Sequence, residues 1–288
     1  SIDLVHASPF TQVIDRQITL ESMVVLRPIT EEECWEYGDE HMRAMNSTLD
    51  SPQTNSSVLQ IEVEHKLDHP TPLLPVVKRS VMSSLTLLGH SGFHVIPVKS
   101  RHAFGIYKNN ALEHIQEAHL IRGGFNVTLE PKSISDEEVK VLEQTYPVVK
   151  GVVGDPKSYL NLSLTRLVDG CARGRHDDAI LDLVIGLENL LLGGDSSDLA
   201  YRFRMTGAYL AGDGLVERRE WVGRLKELYK VRSKIVHGGR ARADEFLAHR
   251  KTAEQALRVV WLHFAQSGKK NQQDVIKSVE SSWLNSSC

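Results

Sequence analysis

Arg232 and His237, in the run Leu228-Tyr-Lys-Val-Arg-Ser-Lys-Ile-Val-His-Gly-Gly239, are the residues of this chain best suited to chemistry without a metal. A guanidinium holds phosphate oxygens bidentately, and an imidazole exchanges protons near neutral pH. Metal-free RNA strand cleavage would use both. A general base takes the 2′-hydroxyl proton, a cation stabilises the phosphorane-like transition state, and an acid protonates the leaving 5′-oxygen. One histidine per chain cannot fill both proton-transfer roles, so this chemistry requires a symmetric dimer that joins two copies of the segment.

Spacing alone does not single the pair out. Given the numbers of arginines and histidines, chance yields on the order of two or three such matches. The chain has three: Arg232/His237, Arg242/His249 and Arg258/His263. Context separates them. Gly238-Gly239 directly follows His237 and supplies a left-handed helix terminus. That puts His237 in a last turn, beside carbonyls without helical partners. Residues five apart on a regular helix are rotated by roughly 140°. Arg232 and His237 therefore converge on one ligand only if that turn loosens. The bland alternative is an arginine paired with a helix carboxylate and a histidine that merely ends a helix. Arg258/His263, with Trp261 and Leu262 between, reads as an ordinary amphipathic face.

The elements that must position these residues fall into two stretches with different patterning. Up to about Lys157, short strand-like and helix-like pieces alternate, as in an α+β domain. Glu21–Arg27 reads as a strand ended by Pro28, Thr30–Glu33 as a helix start, and Val58–Glu64 as a half-buried strand. Val76–Leu88 reads as a helix stopped by Gly89, with strands over Phe93–Val98 and Phe125–Leu129. Ser135 and Glu138 form a capping box that opens another helix. Residues 46–57, rich in Ser, Thr, Asn and Pro, read as a loop.

From residue 158 to the end at 288, the pattern is one of amphipathic helices joined by short connections, which implies an antiparallel bundle. Tyr159, Leu162, Leu164, Leu167 and Val168 mark the first helix. Ile180, Leu183, Val184, Leu187, Leu190 and Leu191 mark the second, ended by Gly193-Gly194. Further helices run from about Asp198 to Leu210, Glu217 to His237 (with Trp221, Leu225, Leu228, Tyr229, Ile235 and Val236) and Ala243 to Gln266. A short one lies around Asp274–Trp283 in a polar tail.

Composition narrows the function classes. The chain has 288 residues, a net charge of −3 and 41% hydrophobic residues, as in ordinary globular proteins, with no global pull toward nucleic acid or membrane. Cys34, Cys171 and Cys288 are odd in number and widely spaced, which suits reduced thiols in a cytoplasmic protein. Ser1-Ile-Asp-Leu-Val-His lacks the basic and apolar regions of a signal peptide, and Ala179–Leu192 is too short and too charged to span a bilayer. Histidines 41, 65, 69, 90, 94, 102, 114 and 119 are irregularly spaced with no H-E-x-x-H frame, and His114 and His119, on a candidate helix, share an ion poorly. Neither a metal nor a cofactor is expected.

Four segments together resemble the HEPN superfamily, within it the Apea-like branch, over about residues 158–267. They are Leu181-Asp-Leu-Val-Ile-Gly-Leu-Glu-Asn-Leu-Leu, Leu199-Ala-Tyr-Arg-Phe-Arg, Glu217-Arg-Arg-Glu-Trp and Leu228-Tyr-Lys-Val-Arg-Ser-Lys-Ile-Val-His-Gly, and they match in order and spacing. The resemblance implies a HEPN-like helical bundle that dimerises around the Arg/His helix end, and a metal-independent endoribonuclease of the kind found in phage defence and toxin systems. It also admits an inactive dimerisation, nucleotide-binding or RNA-binding module. Arg232 and His237 fall on the family's catalytic pair, and Glu188 on a position that supports the site. Ser233 departs from the Asn, Asp or His of many active members: it can hydrogen-bond phosphate but does not readily transfer protons. Tyr229 reads as core packing, with RNA stacking the alternative. Arg202 and Arg204 read as partners of acidic residues on neighbouring helices, with phosphate binding the alternative. RNA and a second copy of the chain are the expected partners, with an activator or antitoxin acting through residues 1–157.

Overall fold

The computed structural model describes residues 2–7, 12–13, 17–21, 24–28, 57–62, 73–90, 95–96, 100–106, 110–116, 132–193, 198–238, 243–269 and 271–285. The chain has two compact units, Ser1–Leu85 with Gly92–Lys150, and Thr86–Ser91 with Gly151–Cys288. An α+β part is followed by a helical one.

In the first unit, seven strands form one antiparallel sheet: β1 (Ile2–Ala7), β3 (Ile18–Glu21), β4 (Val24–Pro28), β5 (Ser57–Glu62), β6 (Val95–Ile96), β7 (Ser100–Ile106) and β8 (Asn110–Gln116). Their order is β3-β4-β5-β1-β7-β8, with β6 also beside β1. A separate parallel pair joins β2 (Gln12–Val13) to β9 (Lys132–Ser133). Ile18, Val24 and Leu26 turn to the core, following the period of two that a half-buried sheet requires. Glu21 belongs to β3 and not to the strand that contains Val25, because the chain reverses between residues 21 and 24 and pairs Ile18 with Leu26. His114 lies on β8 opposite His102, in a strand where a helix was expected. The expected pieces at 30–33 and 125–129, and most of the loop at 46–57, lie outside the described residues, as do Cys34, Cys288, Gly239 and Arg242.

Helix α1 spans Leu73–Leu87, and α2 spans Asp136–Gly154. The capping box forms: Ser135 N–H donates to Glu138 Oε2 (2.9 Å), and Glu138 N–H donates to Ser135 Oγ (3.2 Å). Glu21 anchors α2 within this unit. Its carboxylate accepts from Tyr146 Oη (2.9 Å) and from Lys150 Nζ (2.8 and 2.6 Å). Burial, and then the adjacent carboxylate, push the Tyr146 phenol far above its ordinary range.

The second unit contains α3 (Tyr159–Ala172), α4 (His176–Leu191), α5 (Leu199–Ala211), α6 (Leu215–Val236), α7 (Ala243–Gln266) and α8 (Gln272–Asn285). Helix α4 is its axis and contacts α3, α5, α6 and α7. Ile180, Leu183, Val184, Leu187, Leu190 and Leu191 are each 0% exposed. Buried leucines and valines each contribute about 1.5–3 kcal/mol, so this helix forms in context even though a sequence of its length is marginal alone. On α3 the buried face is Leu160, Leu164, Leu167 and Cys171, at steps of four, three and four, while Leu162 falls off that phase and is 45% exposed. Trp261 of α7 is fully buried and donates its indole N–H to Leu160 O at 3.2 Å.

Charged side chains close the α3–α4–α7 contact. Arg250 of α7 donates to the Cys171 and Arg173 carbonyls (2.8 and 2.9 Å) at the end of α3, where helix carbonyls lack partners. Glu254 holds Arg250 at 2.9 Å and Arg258 at 3.7 Å. Among the described residues no helix is long and apolar enough to cross a membrane.

Two consequences can be measured. A Cβ on Gly186 would lie 2.7 Å from Leu257 Cδ2 and 3.2 Å from Arg166 Cβ, so the glycine is what lets α4 and α7 meet. Gly186→Val is expected to cost about 2 kcal/mol from overpacking, read as a lower midpoint in urea; an unchanged midpoint would contradict this packing. Cys171 is buried, and burial pushes its thiol up to about 12. Because the native state then holds its proton more tightly than the unfolded chain, this group costs no stability below the ordinary thiol range. It costs progressively more as pH rises from there toward 12. In native protein at mildly alkaline pH, site-resolved alkylation should leave Cys171 far less modified than in denatured protein.

Candidate functional site

The site is assembled from the last turns of α4 and α6. Helix α6 presents Trp221, Leu225, Leu228 and Val231 to the core, a face that continues one residue short of Arg232. Tyr229 packs its ring on Phe203 of α5, with centroids 5.3 Å apart. Arg232 is thereby turned partly inward, where its Nη2 meets Glu188 Oε2 of α4 at 3.3 Å. The two side chains are 31% and 18% exposed. This is a long contact for a charged pair.

The rest of the Arg232 guanidinium is poorly served. Its Nε is buried with no hydrogen-bond partner, and its one described partner is Glu188. Leaving a buried donor unpaired costs about 1–3 kcal/mol. A contrast lies on the same helix, two turns earlier. Asp182, its side chain 8% exposed, is gripped by Arg166 Nη1 at 2.6 Å and Arg173 Nε at 2.7 Å. Arg166 leaves its own Nε buried without a hydrogen-bond partner, as Arg232 does, so the two sites differ in the length and number of the contacts on the carboxylate. Arg232 meets its carboxylate by one longer contact.

His237 sits at the opposite extreme of exposure. The helix stays regular to this residue, since His237 N–H donates to Ser233 O at 3.1 Å, and tightens only at Gly238, whose N–H reaches Ile235 O at 3.0 Å. Gly238 has φ +74°, a left-handed value that a β-carbon disfavours, so the chain leaves the helix immediately after the imidazole. His237 and the preceding Val236 are both exposed, Val236 at 54%. Because the turn does not loosen before His237, the two side chains project in different directions from one helix. Ile235 and Val236, expected on the apolar face, lie at its edge and outside it, because that face has rotated past them by the last turn.

The remaining candidates sit close in sequence but do different things. Ser233 is half-buried on α6, and its carbonyl serves the His237 amide. Arg202 of α5 pairs with Glu280 of α8 at 3.5 Å. Arg204 instead turns back on its own helix, donating Nε–H to Ala200 O at 2.9 Å. Arg258, of a competing Arg/His pair, is held between Glu254 and the Cys171 sulfur at 3.7 Å each, inside the bundle. Among the described residues no group of three or more His, Cys, Asp or Glu side chains is arranged to hold a metal ion.

Comparison with known proteins gives no match: no family model, curated protein or solved structure matches this chain.

Asp182 and Glu188 of α4 should differ on removal. Asp182→Ala removes two short contacts from guanidiniums that are 33% and 50% exposed and is expected to cost about 2 kcal/mol. Glu188→Ala removes one long, half-exposed contact and is expected to cost about 1 kcal/mol. Urea unfolding of both variants decides; equal losses would mean that Arg232 is as structurally committed as Arg166 and Arg173.

Proposed function

We propose that this protein is a metal-independent endoribonuclease of HEPN type, acting as a homodimer whose composite site joins Arg232 and His237 from both chains. The observation that carries the reading is the contrast at the end of α6. One arginine is held by a single 3.3 Å contact, where Asp182 takes two below 3 Å, and an exposed histidine follows on a glycine-terminated helix end. A purely structural arginine is expected to look like Arg166 or Arg173, with short contacts to a buried carboxylate.

In the proposed reaction, Arg232 binds the scissile phosphate and neutralises charge that accumulates on its equatorial oxygens. His237 of one chain takes the 2′-hydroxyl proton. His237 of the other protonates the 5′-oxygen as the bond to phosphorus breaks. The products are a 2′,3′-cyclic phosphate and a 5′-hydroxyl, and no water is consumed in this step. Glu188 keeps the guanidinium oriented and is partly displaced as phosphate arrives. Ser233 adds a hydroxyl that can donate to phosphate. Tyr229, packed on Phe203, and Arg202, paired with Glu280, hold the helices in place. Val236, exposed beside the imidazole, supplies an apolar contact for pairing two helix ends.

A second reading has a specific observation behind it. The Arg232–Glu188 pair closes within one chain, as in a non-catalytic dimerisation or RNA-binding module.

The experiment is cleavage of a mixed-sequence RNA by purified full-length protein in excess chelator. Cleavage should persist, yield cyclic phosphate termini, and fall about 10²–10⁴-fold in His237→Ala. Arg232→Lys should lose most of the activity too, since an ammonium does not replace a bidentate fork. Intact RNA with a monodisperse dimer, or cleavage unaffected by His237→Ala, would favour the module.

A further inference from the structure

A second feature of the helical unit is not used by that reaction. Where the start of α3, the end of α7 and the start of α8 meet, an open cleft of about 800 Å³ is lined by Lys157, Lys269 and Lys277, by Tyr159, and by Asp155 and Asp274. The three lysines are exposed, and their ammonium groups have no hydrogen bond or ion pair to any described residue. The carboxylates are engaged locally. Asp155 Oδ1 accepts the Lys157 N–H at 3.0 Å, and Asp274 Oδ2 accepts from Asn271 Nδ2 at 2.7 Å. The first turn of α3 carries no acidic residue, and its N-terminal end lies at the cleft. Three ammoniums against two carboxylates leave the lining one charge positive on a chain whose net charge is −3.

The shape excludes one class of ligand and suits another. The cleft is too open to bury a small molecule, and ligand pockets of this size ordinarily enclose most of their occupant. An extended polyanion can lie across it. Tyr159 offers a ring for stacking that is held in place twice. Its hydroxyl donates to Lys269 O at 3.4 Å, and its ring meets buried Phe264 edge-on with centroids 6.2 Å apart. Burial raises the Tyr159 phenol above its ordinary range, so near neutral pH it adds no negative charge beside a phosphate.

The cleft is also tied to the helix that carries Glu188. Gln272 Nε2 donates to the Asn189 and Leu190 carbonyls, Gln273 donates to the Gly193 carbonyl, and Asn189 Nδ2 donates to Tyr159 O at 3.0 Å. The floor of the cleft and the carboxylate that holds Arg232 therefore share the last turn of α4.

We propose that this cleft binds the backbone of single-stranded RNA, with Lys157, Lys269 and Lys277 on successive phosphates and one unpaired base against Tyr159. The proposal rests on the ribonuclease reading for its choice of polyanion, but the two can fail separately.

The test uses the full chain carrying Arg232→Ala and His237→Ala, so that no cleavage occurs, and a fluorescein-labelled oligouridine RNA of about 20 nucleotides. Combining Lys157→Gln, Lys269→Gln and Lys277→Gln should weaken binding at least about tenfold. It should also make the dependence of log affinity on log salt shallower by about 2, from roughly 0.7 per lost phosphate contact. Tyr159→Leu should weaken binding about fivefold or more, with Tyr159→Phe close to the parent. An unchanged thermal midpoint in each variant shows that folding is not the cause. Unchanged affinity and salt slope in the triple variant would overturn the proposal, as would equal competition by duplex RNA of the same length. If chain with Arg232 and His237 intact cleaves RNA equally well with the three lysines replaced, the cleft fails and the nuclease stands. If it binds RNA through these lysines yet never cleaves, the nuclease fails and the cleft stands.

Discussion

Helix α4 is buried against four neighbours yet carries Asp182 and Glu188 on its length, and no carboxylate leaves water without a partner at tolerable cost. Each must be met by a cation from another helix. Arg166 and Arg173 come from α3 and its C-terminal edge, Arg232 from α6. These pairs fix how α3 and α6 turn about the central helix, since a rotation that served the apolar faces but missed the carboxylates would strand a buried charge. Arg250 and Glu254 do the same for α7 by closing the open carbonyls at the end of α3.

The two demands are met unequally, and the inequality is what the candidate chemistry draws on. Asp182 takes two contacts below 3 Å, a closed arrangement with nothing left to bind. Glu188 takes one at 3.3 Å. A site built from spare donors has to be under-satisfied in the free protein. His237 follows from the same geometry, since the apolar face ends at Val231 and the helix stops at Gly238.

Both candidate features of the helical unit lie at helix ends. The arginine and histidine use the C-terminal end of α6, and the basic cleft uses the starts of α3 and α8. Helix flanks are consumed by packing, whereas ends leave backbone groups, caps and loop side chains at the surface. The last turn of α4 connects the two, through Glu188 on one side and the Asn189–Gln272 contacts on the other.

The helices were legible in the sequence because their signals are local. Apolar residues at steps of three and four gave α4 nearly to its ends, Gly193 and Gly238 gave terminators, and Ser135 with Glu138 gave a capping box. The Arg232/His237 segment was legible for the same reason, as a helix end with suitable residue types. Tertiary contact decided the rest. Period alone could not tell that Leu162 faces outward while Leu160 is buried, because one helical face is chosen by what lies opposite it. Strand order was beyond reach, since β1 pairs with residues more than fifty positions away and nothing local encodes that partner. The Arg232–Glu188 contact joins residues 44 positions apart, and the cleft brings residues 155–160 to residues 264–277. The sequence by itself determined which groups could do chemistry and which segments are helical, because both are properties of neighbours along the chain. How closely each guanidinium is held was decided only when the helices packed, because satisfaction of a buried charge depends on distances that exist only in the fold.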